Sequence, residues 1–172
     1  MQNTTRNGFT TKEMTRIALI AAISFVLSLI VIFSMPQGGS VTIYLVPLFL
    51  AVSNEKLRNC LFIGLIVAVL QIILGGSIIS PLSPFLDYII PVVILTCAAV
   101  FKQNIYVNIL LASVVALICY TLSGTLFWQV PLIPSLAYNA TFFVPTIVIN
   151  LVLFAFADKA VGKIYKSRVM NG

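Results

Sequence analysis

One carboxylate in this sequence stands apart from every basic residue. Asp87 lies in the segment SPFLDYIIP among apolar neighbours, and no Lys or Arg is close to it in the sequence. An ionised carboxylate without a partner costs several kcal/mol where the dielectric constant is low. Three explanations are open: the residue begins a helix whose macrodipole favours negative charge, the carboxyl group is protonated, or its partner is a cationic ligand.

Aromatic and amide side chains accompany this carboxylate near the ends of apolar segments. Each of them alone is typical of a membrane-interface anchor or a packing residue. Together with a carboxylate they suit a flat, cationic, nitrogen-rich heterocycle, because aromatic faces attract cations by about 0.5–2 kcal/mol and amides and hydroxyls can fix a ring edge. The side chains that could form such a site are Asp87, Tyr88, Tyr120, Trp128, Tyr138 and Asn139.

The sequence contains few of the groups that enzymes use. It has no His, which is the commonest general base and metal ligand. It also lacks HExxH and GxSxG motifs and a second intramembrane carboxylate to pair with Asp87. We therefore predict no catalytic residue, no metal site and no cofactor. Three cysteines are expected to be buried apolar residues, because their spacing matches no metal motif: Cys60, Cys97 and Cys119.

The composition places these residues in a membrane protein. Hydrophobic residues make up 60% of the chain and charged residues 8%, whereas a soluble domain has about 25% charged residues. The net charge of +6 does not indicate a nucleic-acid partner, because the basic residues lie in clumps between apolar segments without interleaved aromatic residues. Six apolar segments are predicted as helices: 17–33, 41–52, 60–74, 86–101, 105–122 and 138–157.

The basic residues predict how these segments cross the bilayer. If the N-terminus is cytoplasmic and each segment crosses once, all ten Lys and Arg fall on the cytoplasmic side, as the positive-inside rule requires. We therefore predict an all-α membrane protein with six transmembrane helices and both termini in the cytoplasm. Its predicted parts are a cytoplasmic N-terminal segment (1–16), a transmembrane substrate-binding domain (17–157) and a basic cytoplasmic tail (158–172).

The three outer connections differ from the inner ones in composition. They read SMPQGGS, GGSIISPLSP and SGTLFWQVPLIPS and are rich in Gly and Pro, whereas the inner turns are short and charged. Irregular backbone near the membrane is tolerated where it is buried in protein or lines a cavity. These segments are therefore either ordinary loops or the cover of a cavity open to the outside. A channel is disfavoured, because its polar path would have to reach both faces.

Four stretches resemble the substrate-binding S components of energy-coupling factor (ECF) vitamin transporters, in the thiamine-specific branch. They are SMPQGGSVTIYLVPLFL, SPFLDYIIP, YTLSGTLFW and SLAYNATFFVP, and their order and spacing agree over nearly the whole chain. The resemblance implies a six-helix bundle in the bacterial cytoplasmic membrane, with the vitamin site near the extracellular face. It also implies a high-affinity thiamine-binding subunit that is not an enzyme and works with a transmembrane coupling subunit and two ATPase subunits.

The resemblance also implies roles for particular residues. Asp87 would face the thiamine cation or its aminopyrimidine, Asn139 would hydrogen-bond the ligand, and Trp128 would stack on a ring. The other positions that match the family's site motifs are Tyr88, Gly124 and Tyr138.

Two small residues of the first helix match a family surface that packs on the coupling subunit. Ala18 and Ala22 are four positions apart, a spacing that lets another helix approach closely. Packing within the bundle is the alternative explanation for them.

Two positions depart from the family pattern. Tyr120 stands where the family commonly has a histidine, and Pro134 stands where it commonly has a tyrosine. The alternative function is therefore an S component for a thiamine precursor or analogue, or for another vitamin such as riboflavin or a pyrimidine precursor.

Overall fold

The computed structural model describes residues 8–36, 38–75 and 78–170, and these are mostly helical. Parts of the predicted N-terminal segment (1–7), of two outer connections (37 and 76–77) and of the tail (171–172) lie outside the described residues. A π-helical segment leads into the fourth α-helix, and a 3₁₀ turn follows it. The elements are α1 (Thr11–Ser28), β1 (Val31–Ser34), β2 (Ser40–Thr42), α2 (Leu45–Asn54), α3 (Leu57–Gly75), the π segment (Phe85–Ile89), α4 (Ile90–Thr96), the 3₁₀ turn (Ala98–Phe101), α5 (Ile105–Leu126) and α6 (Leu132–Met170).

The prediction that the first helix continues to Phe33 is wrong. α1 ends at Ser28, and β1 pairs antiparallel with β2. The β-branched residues 31–32 favour a strand, and Gly38 and Gly39 take φ angles of 91° and 83° where the chain turns back. The first outer connection is therefore the tip of a two-stranded hairpin, and the chain is mostly helical.

α1 begins before the apolar segment does, because polar residues cap it. The Thr10 N–H donates to Glu13 Oε2 at 3.0 Å, and the Glu13 N–H donates to Thr10 Oγ1 at 3.2 Å, which is a capping box. Glu13 pairs with Lys56 at 3.0 Å, and Arg16 pairs with Glu55 at 3.1 Å. These ion pairs hold the start of α1 against the turn between α2 and α3.

The remaining inner segments lie at the same end of the bundle. The Ser53 hydroxyl at the end of α2 donates to Asp158 of α6 at 3.4 Å. Tyr106, at the start of α5, packs against Phe154 of α6 with the ring centroids 5.7 Å apart, which brings the turn that carries Lys102 to this end. We call this region the charged end and define it by Glu13, Arg16, Glu55, Lys56 and Asp158.

Among the described residues, three helices are long and apolar enough to span a membrane: Leu57–Leu74, Ile105–Leu126 and Leu132–Ala160. α2 and the run Phe85–Thr96 are apolar but shorter. Large hydrophobic side chains cover the outside of the helices, and such an extensive apolar surface requires lipid as its solvent. The chain is therefore a multi-pass membrane protein. Examples of these exposed side chains are Ile73, Val114, Val148 and Phe156.

α5 and α6 both extend into the predicted third outer connection. α5 continues to Leu126 and α6 begins at Leu132, so only residues 127–131 connect the two helices. The prediction of a loop over 123–135 is therefore wrong. Pro134 is accommodated in the first turn of α6, where a backbone N–H has no intrahelical partner to lose.

A buried amide joins α6 to the hairpin and to α2. Asn150 is fully buried; its Nδ2 donates to the Thr42 carbonyl at 2.7 Å, and its Oδ1 accepts from the Val46 N–H at 3.0 Å. Tyr44 precedes α2 without making a side-chain cap, so a residue of another helix caps its first turn. Asn150 therefore fixes the hairpin and the start of α2 relative to α6.

Candidate functional site

A cavity of about 540 Å³ opens at the end of the bundle opposite the charged end. Its lining comes from the ends of α1 and α3, the hairpin, the residue before α2, the π segment, and α5, α6 and their connection. The structure brings all seven residues that were predicted to bind substrate into this lining. They are Asp87, Tyr88, Tyr120, Gly124, Trp128, Tyr138 and Asn139.

Asp87 lies in the π segment. In a regular α-helix its carbonyl would accept from the N–H of residue 91, but Pro91 has none. The Ile90 N–H instead donates to the Phe85 carbonyl, which is the five-residue spacing of a π-helix. Such wide turns are frequent at functional sites, and here the wide turn places the only acidic side chain in the described cavity lining.

The surroundings of Asp87 are polar and uncharged. No Lys or Arg is among the described residues that line the cavity, and none of the ion pairs within the described ranges includes Asp87. The buried Ser123 hydroxyl lies near Asp87. Among the described residues, the Ser123 hydroxyl makes no regular hydrogen bond. This arrangement has room for a positively charged partner and supplies none from the described lining.

Gly124 lets α5 and α6 approach closely beside the cavity. A Cβ added there would collide with Ser135 Oγ. Ser135 donates to the Thr121 carbonyl at 2.9 Å, and Asn139 Nδ2 donates to the carbonyls of Ser135 at 2.9 Å and Tyr120 at 3.2 Å. These bonds hold the Asn139 amide by its nitrogen, so its Oδ1 is the atom that can accept from a ligand.

The hairpin and the α5–α6 connection flank the cavity. Tyr138 Oη donates to the Gly38 carbonyl at 2.6 Å, which attaches the hairpin tip to α6. A Cβ on Gly39 would lie 2.7 Å from the Phe142 ring, so the tip also packs tightly. Trp128 is 42% exposed and lies in the connection at the mouth of the cavity. The first and third outer connections therefore contribute to the cavity, as one of the two explanations expected.

Sequence reasoning missed several polar and aromatic residues of the lining. Gln71 left a signal, because it is a polar residue within the apolar α3. Tyr44 left none, because its position depends on the hairpin and on the contact of α2 with α6. The lining residues that were not predicted include Ser28, Tyr44, Gln71, Ser135, Phe142 and Thr146.

Ala18 and Ala22 lie away from the cavity, on the outside of α1. Both are exposed, whereas their neighbours Ile17 and Ala21 are buried in the core. Packing within the described part of the bundle therefore does not account for this pair.

The described residues contain no group of three His, Cys, Asp or Glu side chains that could hold a metal ion. Asp87 stands among phenols, one indole and two amides, and the described lining contains no second carboxylate. A carboxylate surrounded by aromatic faces suits a cation with a flat ring.

Comparison with known proteins connects this cavity to one family. The model of the Thiamine transporter protein (Thia_YuaJ) family matches residues 14–166. The thiamine transporter ThiT of Bacillus subtilis (strain 168) is 27% identical over 181 residues, covering 90% of this chain and 94% of the relative.

Two solved structures share the fold. ThiT from Listeria monocytogenes superposes with a TM-score of 0.75 at 18% identity, covering 90% of this chain and 97% of that one. The S component of a bacterial ECF transporter superposes with a TM-score of 0.67 at 18% identity, covering 90% and 98%. Because the family model matches residues 14–166, which is most of the sequence, the chain belongs to the Thiamine transporter protein family.

Proposed function

We propose that this chain is the high-affinity thiamine-binding S component of an ECF importer, and that the 540 Å³ cavity is its binding site. The observation that carries the proposal is a lone carboxylate in a cavity whose described lining has aromatic rings and no basic residue. The cavity volume lies within the range of about 300–1,000 Å³ that is usual for small-molecule sites. We take thiamine as the ligand because the chain belongs to the Thiamine transporter protein family.

Each predicted residue has a place in this proposal. Asp87 faces the positive charge of thiamine, and Trp128 stacks on one ring at the mouth. Asn139 accepts a hydrogen bond through Oδ1, because its nitrogen is already bonded to backbone carbonyls. Gly124 acts indirectly, because its missing side chain lets Ser135 and Asn139 take their positions. The remaining aromatic walls of the site are Tyr88, Tyr120 and Tyr138.

We propose six membrane crossings with both termini in the cytoplasm. The ion pairs at the charged end and the cavity at the opposite end support this arrangement, because they separate the described inner turns from the outer connections. α2 and the run Phe85–Thr96 are shorter than a full span, and neighbouring helices shield such short elements from lipid. The proposed parts remain residues 1–16, 17–157 and 158–172.

The proposed transport cycle needs partners. We assign the exposed pair Ala18 and Ala22 to the contact with the transmembrane coupling subunit, because small side chains let a partner helix approach closely. ATP hydrolysis belongs to two separate ATPase subunits, and this chain contributes substrate binding.

A related ligand is the second candidate. Tyr120 and Pro134, the two departures from the family pattern, both line the cavity. These differences lie where they can alter the fit of a ring, which favours a thiamine precursor or analogue as the competing ligand. Riboflavin and a neutral pyrimidine precursor are the other vitamins to compare.

Tryptophan fluorescence tests the proposal directly, because Trp128 is the only tryptophan in the sequence. Thiamine should quench the purified protein at or below micromolar concentrations without ATP. Asp87→Asn should lower the affinity for thiamine by more than about tenfold, the change expected for a charged hydrogen-bonded contact. It should lower the affinity for a neutral pyrimidine precursor far less. Asp158→Asn, at the charged end, is the matched control. A response to another vitamin and none to thiamine would contradict the substrate assignment.

A further inference from the structure

A second polar group lies in the cavity, and two of its three members were not among the predicted site residues. Tyr44 precedes α2, Gln71 belongs to α3 and Tyr120 belongs to α5, and all three line the cavity. The Tyr44 hydroxyl lies within hydrogen-bonding reach of both Tyr120 and Gln71. We call these three residues the tyrosine–glutamine group.

The surrounding structure holds this group in place. The Tyr120 ring packs edge-on against Phe142 and Phe143, with centroid distances of 6.3 Å and 5.2 Å. Tyr44 directly precedes the helix turn that Asn150 anchors through a 3.0 Å hydrogen bond. A group that is already ordered loses little side-chain entropy when a ligand arrives. The polar atoms are therefore preorganised for binding.

Two phenols and one amide in a row can order their protons in two ways. If the protons run from Tyr120 to Tyr44 and on to Gln71 Oε1, the Gln71 N–H groups remain as donors and the Tyr120 oxygen as an acceptor. If the order is reversed, Tyr120 O–H is the donor and Gln71 Oε1 the acceptor. In either order the group presents a donor and an acceptor, and it carries no charge.

We propose that the tyrosine–glutamine group recognises the edge of the aminopyrimidine ring of thiamine, where an amino N–H lies beside a ring nitrogen. This inference rests on the proposed function of the cavity. A paired donor and acceptor match such an edge, as the amides of Asn and Gln match the edge of adenine. The neutral group thus binds the neutral ring, and Asp87 is left for the cationic ring.

A benzyl analogue separates the two contributions. 3-Benzyl-5-(2-hydroxyethyl)-4-methylthiazolium keeps the cationic ring and carries a benzene ring in place of the aminopyrimidine, so it has no edge with which either proton order could pair. We would measure the affinities of thiamine and this benzyl analogue by calorimetry for the wild type, Gln71→Met and Tyr44→Phe. Gln103→Met and Tyr106→Phe make the same chemical changes at the other end of α5 and serve as matched controls.

The wild type should prefer thiamine, and Gln71→Met and Tyr44→Phe should each lose about tenfold in thiamine affinity, the effect of one hydrogen bond. Their affinity for the benzyl analogue should change little, so the preference for thiamine shrinks, and both controls should keep it. The preference is a ratio of two affinities of the same folded protein, so partial loss of folded material does not alter it. If Gln71→Met and Tyr44→Phe lose affinity for both ligands equally, the inference is wrong. If the wild type binds no thiamine, the proposed function is wrong instead.

Discussion

Replacing Gly124 by alanine tests how closely α5 and α6 pack beside the cavity. The new Cβ would meet Ser135 Oγ in a collision and lie 3.3 Å from Ser135 Cβ. Ser135 is 2% exposed, so its side chain has no solvent to move into. It has to give up its 2.9 Å hydrogen bond to the Thr121 carbonyl, and Asn139, which is bonded to Ser135, moves with it.

The expected destabilisation is the sum of three effects of different sign. Overpacking a tight contact costs about 1–3 kcal/mol, and losing the Ser135 hydrogen bond costs roughly 0.6–1 kcal/mol. Alanine is a better helix former than glycine by about 1 kcal/mol, which offsets the lost bond. The net loss for Gly124→Ala is therefore about 1–3 kcal/mol of unfolding free energy, or roughly 2–4 °C in melting temperature for each kcal/mol.

Thermal unfolding in detergent and thiamine calorimetry measure the two consequences. Gly124→Ala should melt earlier and bind thiamine about tenfold more weakly, because the Asn139 amide is displaced. Adding Ser135→Ala removes the colliding oxygen and should restore at least half of both losses. Gly8→Ala is the matched control, because an added Cβ at Gly8 meets nothing within 4 Å.

The rescue decides whether the reasoning is right. If Gly124→Ala melts and binds like Gly8→Ala, the two helices are not in the close contact described above. If Gly124→Ala is damaged and the double variant is no better, the glycine matters for a reason other than the Ser135 collision.

Three further predictions concern other parts of the molecule. Asn150→Leu should cost about 1–3 kcal/mol of unfolding free energy, because it removes the hydrogen bonds of a fully buried amide with the Val46 N–H and the Thr42 carbonyl; a loss below about 0.5 kcal/mol would contradict the capping role. The Thr10 N–H and then Lys56 lower the pKa of Glu13 from 4.5 to about 2. The stabilising effect of the Glu13 carboxylate is therefore complete above pH 4.5 and is lost as the pH falls toward 2. If the unfolding free energies of the wild type and Glu13→Gln change in parallel between pH 4.5 and pH 2, this prediction is wrong. Ala18→Leu with Ala22→Leu should leave thiamine calorimetry unchanged and abolish co-purification with the coupling subunit, and retained co-purification would remove this pair from the proposed interface.

The end of α1 shows why part of the fold could not be predicted from the sequence. Residues 29–33 continue the apolar run of the helix, and hydropathy alone does not separate a short apolar strand from a helix. The deciding contact is the pairing with β2, which lies beyond the glycine turn. The charged turns were predictable, because ion pairs such as Arg16–Glu55 join segments whose charges already indicated a common side.

The members of the candidate site were more predictable than their roles. Asp87 and its aromatic neighbours were found because an unpaired carboxylate in an apolar chain is unusual, and all of them line the cavity. Gly124 was expected to contact substrate, but the structure adds a packing reason that depends on Ser135. Asn150 could not be found, because it bonds to a carbonyl 108 positions away and no local pattern encodes such a distance.

α6 is much longer than a membrane-spanning helix needs to be. Its 39 residues extend about 58 Å at 1.5 Å per residue, whereas the hydrocarbon core is about 30 Å thick. Tilting by up to about 40° does not absorb that difference, so α6 is longer than the hydrocarbon core is thick at any usual tilt. Because α6 also carries Asn139 into the cavity, the thickness of the bilayer becomes a variable that bears on the tilt of the binding site.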